Sequence, residues 1–512
     1  VLGGVSLLVF AVEALAWPVQ RGRDAWDYLV YYLSFLDGST PFPLVMLVRS
    51  PVTALVLGLP MQVGGATALE VVAGLLYAVT IVAWAATALT FSRLGAVVTA
   101  LVLLVLTPFA LPFHEPSSDM VVAAGLALFS LGLARTWRSP STRRFAALGL
   151  GVAALALARP SYQVLLLAVV LPLTLAATRR VRAVRAGAFL AAAAVPLALW
   201  AVHNGTRYGD WTVSRSGSLN VPFYPAFLAR EIEPGNGPAS RRLARLVERE
   251  VLVLPAYRDL GVDVETYFRS GVNFEVVRLA GLVDRVDGLD SDYALLHEAA
   301  REVAVEGDRI VRGVNLSRSL RTFRGWLGEP PPFEHRTKPD RWPDPEPTID
   351  VAGEPFPNPA AQPPSPDAVP YGFLQCAADE IERCILPDPR SVLGPEAARR
   401  YTEVTDTVRR WDEGLGARAP RAWLAARLDQ LRAVLPPTWA WLALCVATLA
   451  IRRPRGTLVI ALLAGLALAL LAVHALGGRP DPFYALPVLP ALPVAAICAL
   501  AAPRRGHDEG LA

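Results

Sequence analysis

Ten stretches of mostly apolar residues decide what this chain can be: 1–17, 67–89, 95–113, 120–134, 145–158, 162–177, 186–202, 438–451, 457–476 and 486–502. A bilayer core about 30 Å thick is crossed by about 20 such residues in a helix, so runs of this kind read as membrane spans. Composition agrees. The chain is 53% hydrophobic and only 18% charged, and its mean hydropathy is +0.38, outside the range of ordinary soluble domains. The expected fold is an all-α integral membrane protein of about ten transmembrane helices. The run 1–17 is read as a span and not a signal peptide, because no small-residue cleavage site follows it.

The arginines set the expected orientation. They cluster at Arg135, Arg138, Arg143 and Arg144, at Arg179, Arg180, Arg182 and Arg185, at Arg452, Arg453 and Arg455, and at Arg504 with Arg505. Counting spans from an inside N-terminus puts every cluster in the cytoplasm, as the positive-inside rule requires. A net charge of +4, spread over short clusters, argues against nucleic acid as a partner. The expected location is a plasma or inner membrane, with the site and the large loop on the extracytoplasmic side.

Three regions follow: an N-terminal transmembrane module (1–203), an external hydrophilic segment (204–436) between helices seven and eight, and C-terminal transmembrane helices (437–512). The external segment has a Pro-rich linker at 329–370 and helical apolar spacing at 293–327 and 395–435, so an α-rich subdomain is expected. Cys376 and Cys384 fall in it and have the compartment for a disulfide. Cys445 and Cys498 lie in apolar runs and read as small hydrophobes. No internal repeat stands out.

The residues able to do chemistry lie in the outer loops. Asp24 and Asp27 follow the first span in Asp24-Ala-Trp-Asp27-Tyr28. A carboxylate there can act as general base for a lipid-linked reaction, or cap an interfacial helix. The turn His114-Glu115-Pro116-Ser117-Ser118-Asp119 can hold a divalent metal through Glu115 and Asp119, or be a polar turn in which Ser118 or Asp119 caps the next helix. Arg159-Pro160 interrupts a long apolar stretch, where an arginine either binds phosphate or snorkels to the interface. Glu13 and Glu70 are costly in apolar runs, so each is functional or paired with a nearby arginine. Asn204-Gly-Thr is formally a glycosylation sequon. It is discounted because the near-complete replacement of Lys by Arg, with Lys338 the sole lysine, suits a GC-rich bacterial genome.

The order of these features resembles the GT-C superfamily of membrane glycosyltransferases, in particular the glycosyltransferase 39-like group that includes protein mannosyltransferases and the lipid A aminoarabinose transferase. Six local patterns carry the resemblance, over about residues 1–220 and 437–502: Asp24 with Tyr28; Arg49-Ser-Pro51; the acidic turn from His114 to Asp119; Leu157-Ala-Arg159-Pro160; Trp200 through Asn204 and Tyr208 to Gly209; and Arg479-Pro-Asp-Pro-Phe-Tyr484-Ala-Leu-Pro487. Two positions depart from the pattern. Ala25 stands where the family has a second acid, and His203 where arginine usually precedes the asparagine.

The resemblance implies a polyprenyl-phosphate sugar donor, with mannose the candidate sugar, and an inverting hexosyl or pentosyl transfer to an extracytoplasmic glycan, lipid or protein. Asp24 would be the base, with Asp27 as fallback. Arg49 and Arg159 would face the phosphate, and Tyr28, His114, Glu115, Asp119, Asn204, Tyr208, Arg479 and Tyr484 would bind substrate. Two other classes stay open: a transporter or flippase of lipid-linked intermediates, motivated by Glu13, Glu70 and Arg159, and an inactive membrane scaffold.

Overall fold

The computed structural model describes residues 1–22, 24–37, 43–175, 178–215, 222–287, 293–303, 310–311, 314–328, 348–351, 353–358, 395–415, 420–432, 434–477 and 484–504. Arg479, Cys376, Cys384 and most of the Pro-rich stretch fall outside these residues. The rest is mostly helical. The first half runs α1 (Leu2–Ala16), α2 (Ala25–Asp37), α3 (Pro43–Val48), α4 (Pro51–Leu89), α5 (Arg93–Val105), α6 (Thr107–His114), α7 (Ser118–Arg138), α8 (Thr142–Ala158), a 3-10 helix (Pro160–Val169), α9 (Val170–Thr174) and α10 (Arg179–Tyr208).

Among the described residues, four helices are long and apolar enough to cross a membrane: α4, α7, α10 and Thr457–Gly477. A fifth span results if α5 and α6, bent by 65° at Leu106, are counted as one. The Leu2–Ala16, Pro160–Thr174, Thr438–Arg452 and Ala491–Ala501 helices are apolar but shorter. The length of four or five helices therefore matches a bilayer, against about ten apolar runs in the sequence. The surface agrees with that environment. On α10, Val184, Leu190, Val195, Leu199 and Val202 all face outward, a row of apolar side chains that water would not tolerate on a soluble helix.

Two runs fold differently from their sequence pattern. The second span was expected to start at residue 67, yet α4 starts at Pro51, a proline at the first helical position. Ala54, Leu57 and Met61 recur at helical spacing and are buried, which makes this stretch helical too. The two parts meet at a break: Gly64 and Gly65 leave helical geometry, and Gly65 has φ of +62°, a conformation cheap only for glycine. The run 162–177 begins as a 3-10 helix, because Arg159 before Pro160 takes an extended conformation (φ −154°, ψ 115°).

The external segment has a core of its own. Helices Phe223–Leu228, Pro238–Glu250, Val264–Arg269, Asn273–Asp287 and Ala294–Arg301 enclose Phe227, Leu243, Val247, Tyr257, Tyr267, Val283 and Leu296. Helices were expected at 293–327 and 395–435, so those between residues 223 and 287 went unforeseen. The stretch read as a Pro-rich linker also holds structure: β3 (Thr348–Val351) pairs antiparallel with β4 (Glu354–Pro357). Phe356 of β4 is fully buried, its ring centroid 5.9 Å from that of Tyr257 and 6.2 Å from that of Tyr267. A two-residue pair, β1 (Ile310–Val311) with β2 (Val314–Asn315), completes the sheet structure described.

The Pro395–Glu413 and Ala422–Arg432 helices belong instead with the bundle. Arg400 donates to the Leu33 carbonyl, the Arg21 guanidinium pairs with Asp412 at 3.2 Å, and the Arg421 N–H donates to the Leu15 carbonyl at 3.0 Å. Charged side chains thus tie the first of these helices to α2 and the loop before it, and the Arg421 backbone ties the second to the end of α1.

Candidate functional site

The site is built where the loop after α1 meets the turn before α7. The Gln20 N–H donates to the His114 carbonyl (2.9 Å), and Gln20 Nε2 donates to Glu115 Oε1 (3.0 Å). Two residues on, Gly22 lies against the Glu115 and Pro116 carbonyls so closely that a Cβ would sit 2.2 and 2.5 Å from their oxygens. Only glycine allows that approach. The contact fixes where the chain enters α2, and Asp24 opens α2 with φ of +61°. Non-glycine residues seldom take this conformation, and Asp is among those that do.

From this start, α2 presents Asp24, Asp27 and Tyr28 to Arg49, which sits between α3 and α4. Arg49 Nε donates to Asp27 Oδ2 at 2.9 Å, and its Nη2 reaches the same oxygen. Its Nη1 lies 3.3 Å from Asp24 Oδ2. The guanidinium carbon also stands 5.5 Å from the Tyr28 ring centroid. Burial pushes the Asp27 carboxyl up to about 6, against the pull of Arg49 and helped by Asp24. Both carboxylates keep Arg49 firmly charged, offsetting its own burial. Burial likewise raises the Tyr28 hydroxyl, opposed by Arg49 and by a hydrogen bond with Ser118.

Tyr28 joins this group to a second one. Ser117 caps α7, its side chain accepting the Asp119 N–H at 3.2 Å. The cap is thus Ser117, one residue ahead of the two expected. Asp119 forms an ion pair with Arg159, whose guanidinium carbon lies 4.7 Å from the Tyr484 ring centroid. Behind Tyr484, His474 stacks at 5.8 Å, and its Nε2 is 2.8 Å from Ser161 Oγ. Five separated segments therefore meet, with two arginines and the carboxylates of Asp24, Asp27 and Asp119.

The other expected site residues sit elsewhere. Glu115 faces Gln20, and His114 is fully buried, stacked on Phe10 at 4.6 Å with Nε2 3.5 Å from Glu13 Oε2. Both brace the loops. Asn204 donates to the Thr212 carbonyl at 2.9 Å and closes the turn after α10. Tyr208, half-buried, lies near Tyr31, one turn along α2 from Asp27. Of the two readings of the turn, Glu115 and Asp119 do not converge as metal ligands: Glu115 accepts from Gln20 and Asp119 pairs with Arg159. Among the described residues no group of three or more His, Cys, Asp or Glu is placed to hold a metal ion.

Sequence reasoning missed Gln20, Ser161 and His474, and read Ser118 as a cap where it hydrogen-bonds Tyr28. Only His474 carried a signal, as an imidazole inside a 21-residue apolar helix, where ionisable groups are rare.

An apolar cavity of about 500 Å³ lies between α4, α7 and α8. It starts at Val52 and Ala158, close in sequence to Arg49 and Arg159, and passes Gly125, Leu128 and Gly151 to Arg135 and Arg144. Comparison of the chain with family models, curated proteins and solved structures found no match.

Proposed function

We propose that the chain is a multi-pass membrane glycosyltransferase that moves a sugar from a polyprenyl phosphate to an acceptor on the outer face of the membrane. With the bent α5–α6 pair, the four shorter apolar helices and α8, the spans number ten, and the external subdomain shapes the acceptor side. The observation that carries this reading is the meeting of Asp24, Asp27, Arg49, Asp119 and Arg159, with an apolar cavity whose walls include Val52, Val121 and Ala158, within three residues along the chain of Arg49, Asp119 and Arg159. An anionic headgroup and a hydrocarbon tail need those two environments side by side.

The chemistry follows from the charges. An acceptor hydroxyl attacks the anomeric carbon opposite the phosphate; the C–O bond to phosphate breaks, the hydroxyl proton passes to a carboxylate, and the configuration inverts. Asp24 suits the proton better than Asp27. Its side chain is 24% exposed against 1%, and it meets Arg49 through a single longer contact. Arg49 and Arg159 stabilise the charge that gathers on the departing phosphate.

The experiment supplies purified protein with polyprenyl-phosphate mannose and a cell-envelope acceptor fraction. Asp24→Asn should slow transfer by about 10²–10⁴-fold, as loss of a general base does. Equal transfer by wild type and variant would sink the assignment of Asp24. Flux of labelled donor across proteoliposomes without any transfer would replace the enzyme with a transporter.

A further inference from the structure

At the other end of α7 is a second cavity, of about 560 Å³, with walls from Thr90, Phe91, Trp137, Arg138, Ser139 and Arg455. Asp119 and Arg138 are nearly the full 21 residues of α7 apart, about 30 Å at helical rise. The cavity therefore opens at the membrane face opposite the candidate site.

Its walls are fixed by contacts of their own. The Arg455 N–H donates to the Pro503 carbonyl at 2.8 Å, and Pro454 bridges to Arg504. Gly456 follows with φ of +80°, packed so tightly that a Cβ would lie 2.7 Å from the Phe91 ring and 2.8 Å from that of Trp137. Those two rings stack at 5.4 Å and form an apolar floor. On the α7 side, Arg144 Nη1 donates to the Ser139 carbonyl at 2.7 Å and to the Arg135 carbonyl at 3.3 Å, which covers the negative end of the helix.

The described walls of this cavity carry two arginines and no carboxylate. The sequence has no Asp or Glu in 71–114, 120–209, 430–480 or 482–507, the segments that build this end of the bundle. Two arginines and two hydroxyl-bearing side chains over an aromatic floor suit a phosphate that carries an apolar body, and basic pockets between spans on the cytoplasmic side bind such headgroups.

We propose that this pocket holds the phosphate of an anionic phospholipid in the inner leaflet. Arg138 and Arg455 would hold the charge, while Trp137 and Phe91 pack against the glycerol and the first acyl carbons. The proposal rests on α7 spanning the membrane and is independent of the transferase reading.

The test uses the full chain, delipidated and placed in phosphatidylcholine nanodiscs with and without phosphatidylglycerol, with lipid retention read by native mass spectrometry. Arg138→Gln and Arg455→Gln should each weaken phosphatidylglycerol retention about five- to tenfold. Arg180→Gln, the same charge change outside the pocket, should leave it unaltered. Equal loss in Arg180→Gln, or equal retention of phosphatidylcholine by the wild type, overturns the proposal. Inorganic phosphate that stabilises the protein with no preference for phosphatidylglycerol assigns the pocket to a free anion and overturns the lipid. Should a variant fail to fold, photoreactive phosphatidylglycerol on the wild type decides: label on 137–139 and Arg455 supports the site, and label confined elsewhere refutes it.

Discussion

Gly22→Ala is the sharpest probe of how the site is held. A methyl group there would lie 2.2 Å from the Glu115 carbonyl oxygen and 2.5 Å from that of Pro116, where even close carbon–oxygen contacts are about 3.3 Å. Both obstacles are backbone, so neither can rotate away. The loop after α1 must part from the turn before α7 by about 1 Å, and Asp24 moves with it. Overpacking of this kind costs about 1–3 kcal/mol of stability. A misplacement of about 1 Å in a catalytic group costs on the order of 100-fold in rate. The assay is sugar transfer in parallel with thermal unfolding, beside Gly235→Ala as control, since a methyl at Gly235 meets nothing within 4 Å. We expect Gly22→Ala to lose most transfer while remaining folded. Wild-type rate and wild-type melting together would refute the idea that this contact sets the position of Asp24.

Three further outcomes are expected. Arg159→Lys keeps the charge but loses the planar fork toward Asp119 and the stacking on Tyr484, so the KM for donor should rise about tenfold with a smaller change in kcat, read from initial rates. For Asp27 the folded carboxyl, at about 6, lies above the ordinary value of 3.8. Its contribution to stability is therefore fully present below the unfolded value and is lost as pH rises through about 6. Melting curves of wild type minus Asp27→Asn should show that decline, and a difference that rises with pH would contradict it. Glu302 shows the opposite sign. Burial raises its carboxyl, but the Ser240 and Ala239 N–H groups and the Ser240 hydroxyl outweigh that and hold it below the usual range. Glu302→Gln should cost about 1 kcal/mol at neutral pH, as loss of a helix cap does, and nothing in acid below the folded value, measured by denaturant unfolding of the external subdomain.

The parts of this architecture that could be read in advance are those set by one-dimensional chemistry. Apolar runs give helices because backbone polar groups must be paired in hydrocarbon, and Asp24, Arg49, Asp119 and Arg159 drew attention as charges beside such runs. What stayed hidden depends on contacts far apart in sequence. Nothing local says that Glu115 turns to Gln20 while Asp119 turns to Arg159, although the two carboxylates are four positions apart. The second span was expected from residue 67, and the helical stretch from Pro51 to the break at Gly64 and Gly65 went unforeseen because the span count placed it in an outer loop. Phe356 sits among prolines, a composition that suggests an extended linker, yet its ring fills the external core.

Val48 and Arg49 are neighbours with different allegiances. Val48 is buried in the core of the external subdomain, beside the Leu47 carbonyl that accepts the Arg215 N–H at 2.9 Å. Arg215 is itself held by Asp210 at 2.7 Å and stands 4.9 Å from the Tyr293 ring centroid. The next side chain along, Arg49, balances Asp24 against Asp27. One peptide bond thus serves as a mechanical coupling: a shift of the outer subdomain's core at Val48 is passed directly to the guanidinium that Asp24 and Asp27 share.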